Sequence, residues 1–390
     1  MISVAEARAR LLDLVDPLEV ESVPLRSACG RVLAQPVHAP RDQPPFPSSS
    51  MDGYAIRSEE AQQHAMFQVI GESAAGHRFT GQVGAGQAVR IFTGAPVPDG
   101  ANHVVIQEDV ARRGDLITIT DAPRTKDNIR RQGIDFKSGM TVTAPQLVTP
   151  SMAALLAAMN QASLPVTRRP VVALMSTGDE LVTPGSEPGP DQIIASNTFG
   201  LAAMLEIHGA QIRILPIARD TTASLRTAFE LAADVDLIVT IGGASVGDHD
   251  LVGPVAAELG LEQSFYKVRM RPGKPLMAGK LGKSAMVGLP GNPVSAMICG
   301  QVFIVPMIRR MLGLGPAEDD RQTASLQEAI AANGDREHYM RAVLSGDQIK
   351  VFPNQDSSLL SVLSKANALV VRPPGDPARP AGDTVTYLPL

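Results

Sequence analysis

The stretch VDLIVTIGGASVGDHD, residues 235–250, predicts both the fold of this chain and the place of its ligand. Its first half is largely apolar and rich in β-branched residues, which is typical of a strand buried on both faces. Its second half places three glycines and the carboxylates Asp248 and Asp250 in the turn that follows. Glycines after a strand make room for a phosphate, whereas carboxylates repel one. The ligand of this turn therefore has to satisfy both groups.

Three other apolar runs predict strands of the same sheet, and helical patterns follow most of them. The runs are PVVALMS (170–176), AQIRILPIA (210–218) and SAMVGLP (284–290), and the helical patterns include NTFGLAAMLEIHG (197–209) and TTASLRTAFELAA (221–233). Strands that alternate with helices predict a mostly parallel, doubly wound sheet. We assign this α/β domain to residues 170–317.

The rest of the chain predicts further domains, because single cores stop growing at about 250–300 residues and this chain has 390. Helical patterns predict a discontinuous helical domain at 1–43 and 139–169. Short β-rich runs between Gly, Pro and Asp predict an inserted β domain at 44–138 and a small C-terminal β domain at 318–390. The fold class is therefore multidomain α/β plus β.

Two helix starts are visible in the predicted helical domain. Ser3 and Glu6 stand at the spacing of a capping box, and Ser151 is placed as the N-cap of the helix in TPSMAALLAAMNQA.

Composition excludes several classes of function. A net charge of −5, an aromatic content of 4% and the absence of Trp argue against a nucleic-acid surface. No apolar run approaches the roughly 18 residues that span a bilayer, so we expect no membrane segment. Cys29 and Cys299 are the only cysteines, which leaves neither a disulfide framework nor a cysteine zinc site and favours the cytoplasm.

Polar motifs follow all four predicted strands, where the ligand of a doubly wound sheet lies. They are STGDEL (176–181), Asp220, the opening turn, and GLPGNPVSA (288–296). A purely structural alternative exists for several of these residues. Asp220 and Asp250 each precede a helical pattern and could be N-caps, and Asn292 with Pro293 fits a helix start.

Convergence of the carboxylates predicts a metal. If Glu180, Asp220 and Asp250 meet at one sheet edge, each pair at about 4 Å repels by roughly 4 kcal/mol at an effective dielectric of about 20. A divalent cation removes that cost, and Mg²⁺ suits one or two carboxylates together with substrate phosphates. The glycine amides are then available for the remaining phosphate oxygens.

Cations stand next to these turns in YKVRMRPGKPLMAGKLGK, residues 266–283. A strand would place Lys267, Arg269 and Arg271 on one face, and the Pro-Gly turn would bring Lys274 close to them. A solvated edge strand is the alternative, but we favour an anion site. No catalytic triad and no P-loop is visible. The residues alone therefore indicate Mg²⁺-assisted chemistry on a phosphorylated or nucleotide-bearing ligand.

Eight motifs together resemble the molybdopterin molybdenumtransferases of molybdenum cofactor biosynthesis, the family of MoeA and of the gephyrin E domain. They occur in the order of that family and cover nearly the whole chain. The motifs are MDGYAIR (51–57), IFTGAPVP (91–98), NIRRQGIDFKSG (128–139), STGDEL, GGASVGDHD, RPGKP (271–275), GLPGNPVSA and SSLLSVLSKANALVV (357–371).

The resemblance implies a molybdopterin-binding α/β domain of the MogA type and a specific reaction. Molybdate would be inserted into the dithiolene of adenylated molybdopterin, with Mg²⁺-dependent release of AMP. A homodimer is implied, in which the second subunit completes the cleft. Transient contacts with the adenylyltransferase and with molybdoenzymes are implied as well.

The resemblance also assigns roles to individual residues. Catalytic roles fall to Asp250, Asp220, Glu180, Lys274, Asp52 and Asp135, and the metal would be held by Asp220, Asp250 and Glu180. Substrate would be bound by Gly242, Gly243, Ser245, Gly247, Thr177, Gly178, Thr93, Arg130, Arg271, Pro290, Gly291, Asn292, Ser295, Arg341 and Ser358. Within these sets, Arg271, Lys274, Ser295, Arg341 and Ser358 would receive molybdate, and Asp52, Thr93, Arg130 and Asp135 would close the cleft from the other subunit.

The chain departs from the family pattern at two places. Phe46 is followed by Pro47 and three serines, where many members have Phe-Asp, and Arg271 stands where many have Lys. Two other functions stay open: a molybdopterin adenylyltransferase, which shares the fold and glycine turn of the α/β domain, and a non-catalytic scaffold of the gephyrin kind.

Overall fold

The computed structural model describes residues 1–122, 126–243, 251–315 and 321–390. Helix α1 (Val4–Leu12) begins at Ser3, whose Oγ accepts a hydrogen bond from the Glu6 amide at 3.1 Å, as the capping box predicts. Its buried side chains, which include Ala7 and Leu11, lie in one core with the sheet residues of the α/β segment. The helix packs against the π-helical turn Gly300–Ile304 and the helix Val305–Met311 that end the α/β segment. Strands β1 (Val20–Pro24), β2 (Val32–Leu33) and β3 (Val37–His38) follow it.

The 44–138 segment is built of strands, as its short β-rich runs predict. The strands are β4 (Ser48–Ser49), β5 (Gly53–Ile56), β6 (Met66–Ser73), β7 (Gln87–Ile91), β8 (His103–Ile106), β9 (Val110–Arg113), β10 (Leu116–Ile119) and β11 (Ile129–Arg130). Six of them form one sheet in the order β8-β5-β7-β6-β10-β9, and β4 pairs with β11. The MDGYAIR motif supplies β5, a fully buried strand. A Cβ at Gly53 would lie 2.0 Å from the Val105 carbonyl oxygen, so this strand needs glycine there.

The predicted helical domain contains more strand than its sequence suggests. After β12 (Thr141–Val142) and β13 (Gln146–Leu147) come α2 (Pro150–Ala158) and β14 (Ser163–Thr167). An antiparallel sheet of order β1-β14-β2-β13 packs with α2, and its strands of two to five residues are too short to show an alternating pattern. Helix α2 is capped by Thr149, not by Ser151, because Pro150 occupies its first turn and the Thr149 side chain accepts from the Met152 amide.

The doubly wound sheet is present in residues 170–315 as predicted. Its elements are β15 (Val171–Ser176), β16 (Leu181–Val182), β17 (Ile193–Ile194), α3 (Asn197–Ile207), β18 (Gln211–Ile214), α4 (Thr222–Glu230), β19 (Leu237–Ile241), α5 (Val252–Glu258), β20 (Leu261–Tyr266), β21 (Met270–Arg271), β22 (Met277–Leu281), β23 (Ser284–Leu289), α6 (Pro293–Cys299) and α7 (Val305–Met311). The order is β18-β15-β19-β23-β22-β20, in which the first four strands are parallel and β22 runs antiparallel to both of its neighbours, β23 and β20.

Helices α6 and α7 are joined by a π-helical turn, Gly300–Ile304, into one helical run. Among the described residues this run, Pro293–Met311, is the one helix long and apolar enough to cross a membrane by length and composition. The expectation that no apolar run approaches the length needed to span a bilayer is therefore wrong for this helix. However, 78% of its most apolar window is buried inside the fold, as in a core helix of a globular protein.

The C-terminal segment forms a small closed sheet. Its elements are β24 (Gln322–Leu326), β25 (Glu337–Ser345), β26 (Gln348–Val351), α8 (Leu360–Leu363), β27 (Ala368–Arg372) and β28 (Thr384–Pro389). The order β25-β26-β24-β28-β27 closes on itself because β27 also pairs with β25, and β21 of the preceding segment adds to β25. The four domain boundaries given above remain predictions.

We expect Gly53→Ala to destabilise the 44–138 segment by about 1–3 kcal/mol, because β5 and β8 must move apart to admit a methyl group. The matched control is Gly334→Ala, where an added Cβ meets nothing within 4 Å. Urea denaturation followed by circular dichroism measures both variants. Equal stability of the two would show that the β5–β8 contact is not tight.

Candidate functional site

The turns after four parallel strands are held together at the carboxyl edge of the sheet. Thr177 donates its amide to the Ile241 carbonyl at 3.1 Å, and Gly242 donates to Leu289 at 3.1 Å. Gly178 in turn donates to Ala218, also at 3.1 Å. These three bonds join the ends of β15, β18, β19 and β23. The motifs that follow the four strands therefore meet at one place, as predicted.

A cavity of about 760 Å³ opens at this edge. The predicted site residues that line it are Thr177, Gly178, Glu180, Asp220, Gly242, Gly243, Pro290, Gly291, Asn292 and Ser358. Ser245, Gly247 and Asp250, together with Asp248 and His249 of the same turn, lie outside the described residues. Residues from every turn at this edge line the cavity, so no single motif forms the site.

Glycine is required where the turn after β19 approaches β15. Gly242 and Gly243 have φ values of +91° and +63°, and a Cβ on Gly243 would lie 2.3 Å from Val252 Cγ2. The Thr177 hydroxyl is buried directly beneath this turn and has no hydrogen-bond partner among the described residues. Buried hydroxyls are normally hydrogen-bonded, so an oxygen of a bound ligand is a natural partner for it.

Two candidate metal ligands are carried on neighbouring, linked turns. The Glu180 carboxylate folds back over Gly178, where a Cβ would lie 2.4 Å from Glu180 Oε2. Arg219 Nη1 donates to the Asp179 carbonyl at 2.8 Å, and the Asp220 amide donates to Asp179 Oδ1 at 3.4 Å. Asp179 and Arg219 were missed in the sequence analysis, because their role is to join turns that lie far apart in the chain.

The structure decides against the helix-cap alternative for Asp220. Helix α4 is capped by Thr221, whose hydroxyl accepts from the Ser224 amide at 3.3 Å. Asp220 stands one residue before this cap and lines the cavity. Asn292 is the N-cap of α6 with Pro293 in its first turn, as predicted.

The donor set at the cavity fits a hard cation. Glu180 and Asp220 both line it, and carboxylates with substrate phosphates are the usual ligands of Mg²⁺. Within the described parts of the chain, no group of three or more His, Cys, Asp or Glu side chains could hold a metal by itself. A metal here would therefore share its coordination with the ligand or with residues outside those parts.

The cationic stretch after β20 is an arm and not the continuous strand predicted. Lys267 has a φ of +68°, which ends the extended conformation, and β21 is only two residues long. Arg269 and Arg271 are nevertheless exposed, while Val268 and Met270, which alternate with them, are buried. The Lys274 carbonyl accepts from Val268 at 3.0 Å and from Leu276 at 3.1 Å, which closes the arm into a loop.

The tip of this arm reaches the cavity. Lys274 is exposed, and Pro275 beside it lines the cavity wall. A Cβ at Gly273 would lie 2.5 Å from the Cys299 sulfur, so the arm rests closely on helix α6. The backbone at Lys274 is thus held next to the cavity wall, while Lys274 itself does not line the cavity.

Ser295 and Arg341, predicted to receive molybdate, stand behind the cavity wall. Ser295 is 3% exposed in α6, and Arg341 is 1% exposed in β25. The Arg341 guanidinium donates to Gln355 Oε1, to the Leu359 carbonyl and to the Asn354 carbonyl at 3.3–3.4 Å. In this geometry Arg341 supports the segment that carries Ser358.

That segment connects the C-terminal sheet to the site. The Ser358 hydroxyl donates to Asp356 Oδ1 at 2.7 Å, and its amide donates to the same oxygen at 2.8 Å. These two bonds lower the pKa of the Asp356 carboxyl. The Ser357 carbonyl accepts from the Val294 amide at 3.0 Å, at the start of α6. Ser358 is thereby fixed where it lines the cavity.

The four predicted residues of the 44–138 segment do not line this cavity within the chain. Asp52 and Thr93 are in contact: Asp52 Oδ1 accepts from the Thr93 amide at 2.7 Å and from its hydroxyl at 2.8 Å. These bonds hold the pKa of Asp52 below its usual value. Arg130 and Asp135 are exposed on the same segment.

A buried histidine lies among arginines beside the arm. His338 of β25 is opposite Arg271 of β21 on one side and Arg372 of β27 on the other. Burial, and then the positive charges of these and neighbouring arginines, lower the pKa of His338 to about 4. The imidazole is therefore neutral at physiological pH, so this strand adds no further cation next to Arg271.

Three family models match successive parts of the chain. Residues 2–160 match the MoeA N-terminal region (domain I and II), residues 173–310 match a probable molybdopterin binding domain, and residues 323–390 match the MoeA C-terminal region (domain IV).

Named relatives and solved structures are similar over full length. A molybdopterin molybdenumtransferase of Haemophilus influenzae is 34% identical, with 100% of this chain and 99% of the relative covered. Molybdopterin molybdenumtransferase 2 of Mycobacterium tuberculosis is 35% identical over 95% of each chain. The crystal structure of a molybdopterin biosynthesis MoeA protein from Pyrococcus horikoshii OT3 matches this chain with a TM-score of 0.84 and 27% sequence identity. The match covers 100% of both chains.

We expect the neutral state of His338 to make the fold sensitive to acid. The unfolded histidine takes up a proton near pH 6.5, whereas the folded one does so only near pH 4. Stability is therefore lost as the pH falls through this window, by up to about 3 kcal/mol. His338→Gln should show a flatter fall between pH 6.5 and 4 in urea denaturation. The exposed His77→Gln serves as control, and identical slopes for the two variants would contradict a depressed pKa.

Proposed function

The chain belongs to the MoeA family of molybdopterin molybdenumtransferases, which acts in molybdenum cofactor biosynthesis, and we propose the particular reaction that it catalyses. Two Mo–O bonds of molybdate are replaced by Mo–S bonds to the dithiolene sulfurs of adenylated molybdopterin, and the displaced oxygens take up protons and leave as water. Hydrolysis of the phosphoanhydride by water releases AMP and leaves a phosphate on the molybdopterin. One observation carries this proposal: the glycine turn, the carboxylates Glu180 and Asp220, and Thr177, whose buried hydroxyl has no hydrogen-bond partner among the described residues, line a single cavity. A phosphoanhydride with its counter-ion needs both.

The chain's own residues bind and orient the phosphoanhydride. Gly242 and Gly243 allow the turn to adopt positive φ values and to pack closely on Thr177 and Val252, and the backbone of this turn binds the phosphates. The Thr177 hydroxyl donates to a phosphate oxygen from below. Glu180 and Asp220 hold Mg²⁺, with Asp250 as a further ligand expected from the sequence. When bound, Mg²⁺ neutralises charge on the phosphate oxygens.

The arm supplies the binding site of the second oxyanion. Lys274 and Arg271 are exposed cations of the arm, and they stand beside Pro275 and the buried Met270. In a chain with a net charge of −5, such a local cluster is what attracts molybdate. Arg271 offers a planar fork where Lys would offer a point charge, so it can bind two oxyanion oxygens at once.

The second subunit of a homodimer is proposed to complete the cleft. Asp52 and Thr93 form a polar pair on a segment that does not reach the cavity of its own chain, and exposed Arg130 and Asp135 lie on that segment too. Transient contact with the adenylyltransferase and with molybdoenzymes belongs to the same proposal. The cytoplasm is the proposed location, where the exposed thiol of Cys29 stays reduced.

The direct test combines purified protein, adenylated molybdopterin, molybdate and Mg²⁺. AMP release that depends on molybdate is expected. No stimulation by molybdate would refute the proposal, and ATP consumption with free molybdopterin would favour the preceding adenylation step instead.

Asp220→Asn should lower molybdate-dependent AMP release by about 100-fold, a rise of roughly 2.7 kcal/mol in the activation barrier, because the amide is a weaker Mg²⁺ ligand. The Mg²⁺ concentration for half-maximal rate should rise as well. Asp234→Asn is the matched control, since Asp234 pairs with Arg213 on the protein surface. Wild-type AMP release by Asp220→Asn would remove the residue from the metal site.

Lys274→Ala should raise the KM for molybdate about tenfold, which corresponds to about 1.4 kcal/mol of lost binding. The change removes a cation at the rim and leaves the glycine turn untouched. Steady-state AMP release at varied molybdate concentration measures it, with the exposed Lys283→Ala as control. An unchanged KM for molybdate would place the oxyanion elsewhere.

A further inference from the structure

The cavity wall has an apolar part that the phosphoanhydride chemistry does not use. Leu181, Ile193 and Ala195 line the cavity together with the polar turns. Ile193 is 58% exposed, although it belongs to a strand. A branched aliphatic side chain left open beside charged turns is a surface that a ligand can cover.

The geometry of the short ladder β16–β17 places these side chains on one face. Leu181 is the partner of Ile193 in the parallel pairing. Successive side chains of an extended segment alternate between faces, so Ala195 follows Ile193 on the same side. All three residues line the cavity, and Ile194 between Ile193 and Ala195 lines it as well, so the cavity wall here is not confined to one face of the ladder. We define Leu181 and Ile193 as the aliphatic shelf.

The shelf is tied to one of the candidate metal ligands through the backbone. The Ile193 amide donates to the Glu180 carbonyl at 2.8 Å, and the Ala195 amide donates to the Val182 carbonyl at 2.9 Å. The position of the shelf relative to the Glu180 segment is therefore fixed by the ladder. A group that packs on the shelf is held at a set distance from the turn that carries Glu180.

We propose that the aliphatic shelf binds the planar heterocycle of the substrate, by packing of Ile193 against the ring face. This inference rests on the proposed function, because adenylated molybdopterin carries two such rings, the adenine and the pterin, one on each side of the phosphoanhydride. Covering an exposed aliphatic side chain with a ring is favourable in water. The phosphates alone cannot distinguish a nucleotide from pyrophosphate, so the shelf is the specificity element of the site.

The test compares ligands with and without a ring. Isothermal titration calorimetry measures the binding of AMP, of a soluble pterin and of inorganic pyrophosphate to wild-type protein and to Ile193→Ser. The variant should lose about tenfold in affinity for the ring that the shelf binds and keep its affinity for pyrophosphate. The ligand that loses affinity, AMP or the pterin, identifies the ring that the shelf binds. Ile193→Leu should restore binding.

Ile207→Ser is the matched control, since Ile207 is 83% exposed at the end of α3 and does not line the cavity. Unchanged affinity of Ile193→Ser for both rings would overturn the proposal. An equal loss of affinity for pyrophosphate would overturn it too, because Ile193 would then act through the Glu180 turn. A change of oligomeric state in light scattering would also overturn it, because Ile193 would then belong to a subunit contact.

The two proposals fail separately. Wild-type protein without molybdate-dependent AMP release would refute the reaction, whereas a selective loss of ring binding in Ile193→Ser would still support the shelf. Turnover by the wild type together with full ring affinity in the variant would refute the shelf alone.

Discussion

The carboxyl edge of the parallel sheet is the constraint on which the rest of the site depends. Parallel strands end at the same edge, and three backbone hydrogen bonds near 3.1 Å hold the turns after β15, β18, β19 and β23 against one another. Side chains at Gly242 or Gly243 would collide with Thr177 or Val252. Glycine in this turn is thus first a consequence of packing. The backbone surface that it leaves open is what a phosphate can approach.

The sheet edge alone does not complete the cavity, because two elements of the C-terminal sheet support it. Strand β21 of the cationic arm pairs with β25, and the Ser357 carbonyl accepts from Val294 at the start of α6. Arg341, buried in β25, holds the segment between them by its guanidinium. The closed sheet therefore positions both Ser358 and the arm, although its residues are distant in sequence from the glycine turn.

The sequence predicted those features that depend on a local pattern of residues. It did not predict features that depend on contacts between segments far apart in the chain. The sequence showed the buried strands, the glycine turns and the start of α6 at Asn292, because each has a periodicity or a turn signal of its own. The packing of α1 against α7 could not be recognised in the sequence, since an amphipathic helix does not specify its partner. The family resemblance assigned Arg341 to molybdate but did not show that Arg341 is buried in β25, where its guanidinium donates to Gln355 Oε1 and to the Leu359 and Asn354 carbonyls.

The order of the strands explains how carboxylates and an anion can share one site. Along the edge, β18 and β15 carry Asp220 and Glu180, β19 and β23 carry the glycine turns, and the cationic arm leads into β22. Among the described residues, charge therefore changes from negative at Asp220 and Glu180 to positive at the cationic arm, with Gly242, Gly243 and Gly291 between them. A substrate with a metal-bound phosphoanhydride and an oxyanion to be joined to it matches that gradient when each lies at its own end. Repulsion between carboxylates and oxyanion falls with their separation, so the sheet order itself keeps the two apart.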